Sequence, residues 1–106
     1  MNLNRYMTIL EAKADLFNKG FTNTFLLKEE GLLNIKTNVY YNHSDLQLHE
    51  HHRFGPHEEN DLNAILFVIE CYDGTKGIMV SSFDRYYDRA IMNFIQRVRI
   101  KPKDNF

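Results

Sequence analysis

"AILFVIECYDGTKGIMVSSF", residues 64–83, is the stretch whose reading decides how this chain folds. From Ala64 to Cys71 nearly every residue is apolar or β-branched, as in a central strand covered on both faces or by a layer of helices. Asp73-Gly74 then supplies the dipeptide best suited to a tight hairpin, because glycine tolerates the positive φ such turns require. Ile78–Phe83 reads as the returning strand. Two neighbouring antiparallel ribbons are therefore expected at the centre of the fold.

Working outward, residues 84–98 change period. Ile91, Phe94, Ile95 and Val98 recur at i, i+3, i+4 and i+7, which predicts an amphipathic helix before a polar tail broken at Pro102. At the other end, residues 7–20 predict a first helix. Thr8 stands as N-cap with Glu11 as its capping-box partner, and Gly20 takes the C-terminal left-handed position. Met7, Leu10, Ala14 and Phe17 share one helical face, expected to meet the sheet. Between these helices, Phe21, Phe25, Leu27, Leu33, Ile35, Val39 and Tyr41 fit period-2 alternation. They predict strands over 24–28 and 32–40, separated by a turn at Glu29-Glu30-Gly31. Residues 47–54 are a further strand candidate, and 55–63 an exposed loop.

The expected order is α-β-β-β-β-β-α, with four strands if 47–54 stays irregular. Short connections pair consecutive strands antiparallel, and the two terminal helices cover one face. This is an α+β fold, a two-layer sandwich. A chain of 106 residues forms one domain of this kind, with an ordered core over about 6–99 and a polar tail at 100–106. Eight Phe and six Tyr fill the layer between sheet and helices without any need for an aromatic ligand box.

Composition narrows function. The net charge of −1 provides no field that would draw the chain to nucleic acid or an anionic membrane. A single cysteine, Cys71, excludes an internal disulfide and fits a reducing compartment. No apolar run approaches the ~20 residues that span a bilayer. A cytoplasmic, soluble protein is the expectation.

Chemistry-bearing residues concentrate in residues 46–59, "LQLHEHHRFGPHEE", which hold four of the five histidines. On a regular strand His49 and His51 point the same way, a geometry that holds a divalent metal, and His57 could complete it beyond the Gly55-Pro56 bend. Zinc or another divalent cation would then be the cofactor. Against this, a zinc site needs three or four fixed ligands, and no Cys or second ligand cluster accompanies the stretch. Alternating His and Glu also serves a solvated edge strand, where charge blocks edge-to-edge aggregation. Cys71 reads as a small buried hydrophobe rather than a nucleophile, since no base flanks it. Asp84, Arg85, Asp88 and Arg89 open the last helix as an i, i+4 ladder.

Four motifs, "GFTNTF" at 20–25, "RF" at 53–54, "DGTKG" at 73–77 and "SSFDRYYD" at 81–88, give the chain a resemblance over most of residues 8–98. It resembles a family of short bacterial proteins sharing Gly-Tyr-Thr-x-x-Phe, Arg-Phe, Asp-Gly-x-Lys-Gly and Tyr-Gly-x-Tyr. Phe83 and Asp84 stand where that family has Tyr-Gly. Its members often carry the label phosphoribosylpyrophosphate synthetase, so the resemblance implies a phosphoribosylpyrophosphate-related enzyme. The residues do not support the label. Such an enzyme holds ATP, Mg²⁺ and ribose 5-phosphate on two much longer doubly wound domains. Its strand-to-acid, glycine-rich pyrophosphate signature is absent here.

The sequence thus predicts a non-catalytic binding or regulatory module with no cofactor, acting on a protein or small ligand and able to form a homodimer. Arg53, Phe54, Tyr86 and Tyr87 are its expected contact residues. The alternatives are a metal-binding protein using His49, His51 and His57, and, third, the labelled enzyme.

Overall fold

The computed structural model describes residues 6–54, 64–82 and 89–100. Along the chain run α1 (Ile9–Asn18), β1 (Asn23–Lys28), β2 (Gly31–Asn34), β3 (Val39–Tyr41), a single 3₁₀ turn (His43–Asp45), β4 (Leu46–Phe54), β5 (Ala64–Cys71), β6 (Lys76–Ser82), α2 (Arg89–Gln96) and β7 (Arg99–Ile100). The strands form one seven-stranded sheet in the order β3-β2-β1-β6-β5-β4-β7, curled into a half-barrel.

The central expectation holds. β5 and β6 pair antiparallel from Ala64↔Ser82 to Glu70↔Lys76. The hairpin closes through Cys71 N–H donating to Thr75 O at 2.7 Å, and Gly74 N–H donates back to Cys71 O at 2.9 Å. Gly74, at φ +90°, occupies the left-handed position that follows the turn, so the loop has three residues rather than two.

The two-layer antiparallel sandwich is overturned. The sheet is mixed: β1 lies parallel to β6 and β7 parallel to β4. Three physical causes separate expectation from structure. First, the run expected as one strand over 32–40 is broken by a turn in which Asn38 N–H donates to Asn34 O and Asn38 adopts φ +64°. It becomes the hairpin partners β2 and β3. Second, Arg99–Ile100, expected within or beside the polar tail, adds a short edge strand beside Gln47 and Leu48. This makes α2 a crossover between parallel strands rather than a terminal helix, the connection parallel strands require. Third, the helices do not share a face. Along β5, Ile65, Phe67, Ile69 and Cys71 enter one apolar cluster with Ile95 of α2 and Val98 just beyond its end. Leu66 and Val68, the alternate residues, enter a second cluster with Ala12 and Leu16 of α1. Because successive strand side chains point to opposite faces, α1 and α2 lie on opposite sides of the sheet. The unbroken apolar run of β5 is the sequence image of that double coverage.

At the parallel junction of β1 and β6 the backbones approach closely. A Cβ on Gly77 would overlap the Asn23 carbonyl oxygen and stand 2.7 Å from the Phe25 ring. Beside it, Asn23 Nδ2 donates to Lys76 O at 2.8 Å, and the fully buried Asn34 donates from Nδ2 to Asn23 Oδ1 at 3.2 Å. Lys36 N–H occupies the Asn34 carbonyl oxygen at 2.9 Å, so the buried amide is satisfied on both ends.

Candidate functional site

β4 departs from a regular strand at one residue, and that residue is a histidine. Its register against β5 shifts between Leu48↔Ile69 and Glu50↔Val68, leaving His49 as the extra residue of a β-bulge. Before the bulge, Leu46 and Leu48 face the α2 cluster; beyond it, Phe54 faces the α1 cluster. The bulge also re-aims the histidines. His49 turns toward α1's side of the sheet, pairs with Glu70 at 2.6 Å and meets the Phe21 ring edge-on at 5.3 Å. His51 pairs in register with Phe67 and is exposed on the opposite face. The single-face His49/His51 arrangement expected of a regular strand is therefore not formed. His57 lies outside the described residues. Among the described residues no group of three or more His, Cys, Asp or Glu side chains is arranged to hold a metal ion.

His52 is buried, 7% exposed, on the α1 side. Its Nε2 meets Glu50 Oε1 at 2.7 Å, and Tyr6 packs edge-on against its ring at 5.1 Å while donating its hydroxyl to Asp15 of α1 at 2.5 Å. His49 and His52 thus each form a histidine–carboxylate pair that anchors the sheet beneath α1. Proton transfer needs a reacting group within reach of the imidazole. Here both rings are packed against aromatic neighbours.

The remaining chemistry candidates are structural. Cys71 is 2% exposed, and burial first, then the negative charge of Asp73, pushes its thiol up to about 12. It is not a thiolate at neutral pH, which removes it as a nucleophile. Tyr41 donates to Asp73 at 2.8 Å, and Asp73 accepts from Thr75 N–H at 3.0 Å. That backbone donor is the main cause holding the Asp73 carboxyl below its usual range. These bonds stiffen the β5–β6 hairpin. An open, polar cleft of about 280 Å³ lies nearby, bordered by Asp45, Gln47, Glu70, Tyr72 and Arg99.

The expected contact residues separate. Arg53 is exposed, whereas Phe54, its neighbour, is buried in the α1 cluster and is core rather than contact surface. Tyr86, Tyr87, Asp84, Arg85 and Asp88 lie outside the described residues. No protein-family model, no curated protein and no solved structure matches this chain.

What the sequence reading placed in the core instead lies outside. On α1 the sheet is met by Ala12 and Leu16, with Ile9 and Tyr6 beside them. Met7, Leu10 and Phe17 are 78%, 77% and 60% exposed, and Ala14 between them is exposed too. Helical geometry puts positions 10, 14 and 17 in a stripe opposite 9, 12 and 16, while Met7 lies just before the N-cap Thr8 and outside the helix. α1 therefore carries two apolar faces, of which the fold uses one. The available signal was the second set, Ile9, Ala12 and Leu16 at i, i+3, i+7, which competes with the first for the sheet. No helix among the described residues is long and apolar enough to cross a membrane.

Proposed function

We propose that this chain is a non-catalytic binding module whose docking surface is the outer face of α1, and that its partner is an amphipathic helix. The observation that carries the reading is the exposed stripe Leu10, Ala14 and Phe17, with Met7 exposed just before the N-cap, on a helix whose other face already fills its place in the core. The 4-3 spacing of Leu10, Ala14 and Phe17 is that of a helix–helix seam, in which apolar side chains seat between those of a facing helix. Leu10, Phe17 and the adjoining Met7 together expose on the order of 400 Å² of apolar surface, the size of the largest patch on an ordinary monomer, which is often functional. The polar edges suit such a seam: Glu11 runs along one margin and Lys13 along the other.

Fluorescence anisotropy tests the surface directly. The probe is a labelled synthetic amphipathic peptide carrying leucine at 3-4 spacing. The wild-type chain is expected to bind it in the range of tens to hundreds of micromolar, and Leu10→Glu/Phe17→Glu to weaken binding at least tenfold. Equal binding by both proteins, or none by the wild type, removes the reading.

A further inference from the structure

We infer that the open polar cleft at the start of β4 is a second binding site, separate from the α1 face, and that its ligand is a small zwitterion: a free α-amino acid with an uncharged polar side chain. The observation that carries this is a pair of opposite charges that border one cleft without meeting. Asp45, half-buried, stands on the 3₁₀ turn, and Arg99, exposed, stands on β7. Among the described residues neither enters an ion pair. Glu70, the other carboxylate bordering the cleft, is bonded to His49 at 2.6 Å. One anion and one cation are therefore left for a ligand.

The backbone holds these two charges in place. Asn42 N–H donates to Asp45 Oδ2 at 3.0 Å, which leaves Oδ1 without a bond among the described residues. Tyr72 N–H donates to Asp45 O at 2.8 Å and ties the turn to the end of β5. Arg99 is set by its parallel pairing with Gln47, which pairs on its other side with Glu70, so the three residues form one row across β7, β4 and β5. A ligand carboxylate can take two parallel N–H bonds from a guanidinium, and a ligand ammonium can donate to Asp45 Oδ1. One molecule carrying both ends spans the separation that the two side chains leave. Ser44 and Gln47 border the same cleft, and their hydroxyl and amide suit a polar side chain better than an apolar one. The cleft volume of about 280 Å³ lies just under the range of pockets for drug-sized ligands, which sets the ligand at amino-acid size. Because the cleft is open to water, the charges are screened and the expected dissociation constant is on the order of 1 mM.

Chemical-shift titration of the isotope-labelled full chain at neutral pH tests the site, with L-glutamine as the probe. N-acetyl-L-glutamine lacks the ammonium, and L-glutaminamide lacks the carboxylate. The expected result is a saturable shift of the backbone amides of residues 44–47, 70–72 and 99 with L-glutamine, and binding weaker by about tenfold for each analogue. Arg99→Ala is expected to weaken L-glutamine to the level of L-glutaminamide and to leave L-glutaminamide itself unchanged. Asp45→Asn keeps a side-chain oxygen for Asn42 N–H, so the turn persists. It is expected to weaken L-glutamine to the level of N-acetyl-L-glutamine and to leave that analogue unchanged. No saturable shift up to about 20 mM, equal binding of the three probes, or shifts centred on other residues overturn the site. Loss of L-glutamine and L-glutaminamide together in Arg99→Ala overturns it as well, because Arg99 would then act on the fold and not on the carboxylate. The peptide test of α1 reads a different surface, so either site can fail without the other.

Discussion

Replacing Gly77 by alanine tests the parallel junction on which the mixed sheet depends. The new methyl would overlap the Asn23 carbonyl and stand 2.7 Å from the Phe25 ring, so β1 must retreat from β6 by several tenths of an ångström or more. Overpacking of this kind costs about 1–3 kcal/mol. The retreat also pulls Asn23 Nδ2 from Lys76 O and loosens the fully buried Asn34, which leans on Asn23. Leaving such a buried amide unsatisfied adds about 1–2 kcal/mol. The sum, about 2–5 kcal/mol, is a large part of the ~5–15 kcal/mol that holds a domain folded. Urea denaturation followed by circular dichroism reads this as a midpoint lower by roughly 2 M at an unchanged slope. Gly74→Ala is the internal control, since Gly74 has open space around it and only its φ of +90° to lose. That costs about 1 kcal/mol. Equal losses for the two variants, or a Gly77→Ala loss below 1 kcal/mol, would refute the close approach of β1 to β6.

Three further outcomes are expected. The Cys71 thiol titrates near 9 when unfolded and is held at about 12 in the fold, so the folded state retains a proton that the unfolded state loses. Stability is unaffected below pH 9 and declines as pH rises from 9 toward 12, by an order of 4 kcal/mol at most; Cys71→Ala should show a shallower alkaline decline in thermal melts, and native protein at pH 8 should react with Ellman's reagent only as fast as it unfolds. Thr8→Ala removes the side-chain acceptor of Glu11 N–H at 3.0 Å and should lower stability by about 1 kcal/mol in the same urea assay. Deleting His49 removes only the extra residue of the bulge, because Leu48↔Ile69 and Glu50↔Val68 already pair on either side of it. The variant should fold with a loss of about 1–2 kcal/mol from the missing Glu70 pair, and a deletion that abolishes cooperative unfolding would show that His49 is not a spare residue.

The legible part of the fold lay where local chemistry and tertiary role agree. Thr8, Glu11 and Gly20 bracket a helix by backbone capping; the Thr8 cap forms through Glu11 N–H to Thr8 Oγ1, while the Glu11 carboxylate reaches one residue past the capping-box position and accepts from Met7 N–H. The β5–β6 hairpin announced itself through an apolar run, an Asp-Gly pair and a return strand. The parallel pairs did not. Asn23 and Thr24 bond to Gly77 and Ile78 across more than fifty residues, and adjacency in sequence carries no trace of that partnership. Gly77 carried the hint: in a strand interior, glycine marks close backbone approach as readily as a turn, and its place in Asp-Gly-Thr-Lys-Gly drew it into the hairpin instead.

The histidines and α1 were misread for a common reason: a periodicity fixes which residues share a face but not which way that face points. On α1, Leu10, Ala14 and Phe17 do line one face, with Met7 left before the N-cap, yet the sheet takes the opposite face, whose Ala12 and Leu16 join Leu66, Val68 and Ile78 in one cluster. On β4 a single inserted residue reverses the parity of everything after it, so His51, Arg53 and Phe54 exchange the faces that alternation from Leu46 assigns them. The inserted residue is the one whose side chain finds a carboxylate on the next strand. The pairing of His49 with Glu70 holds the bulge at this position, and the bulge in turn brings Phe54 and His52 beneath α1, so that one inserted residue sets which core the second half of the strand joins.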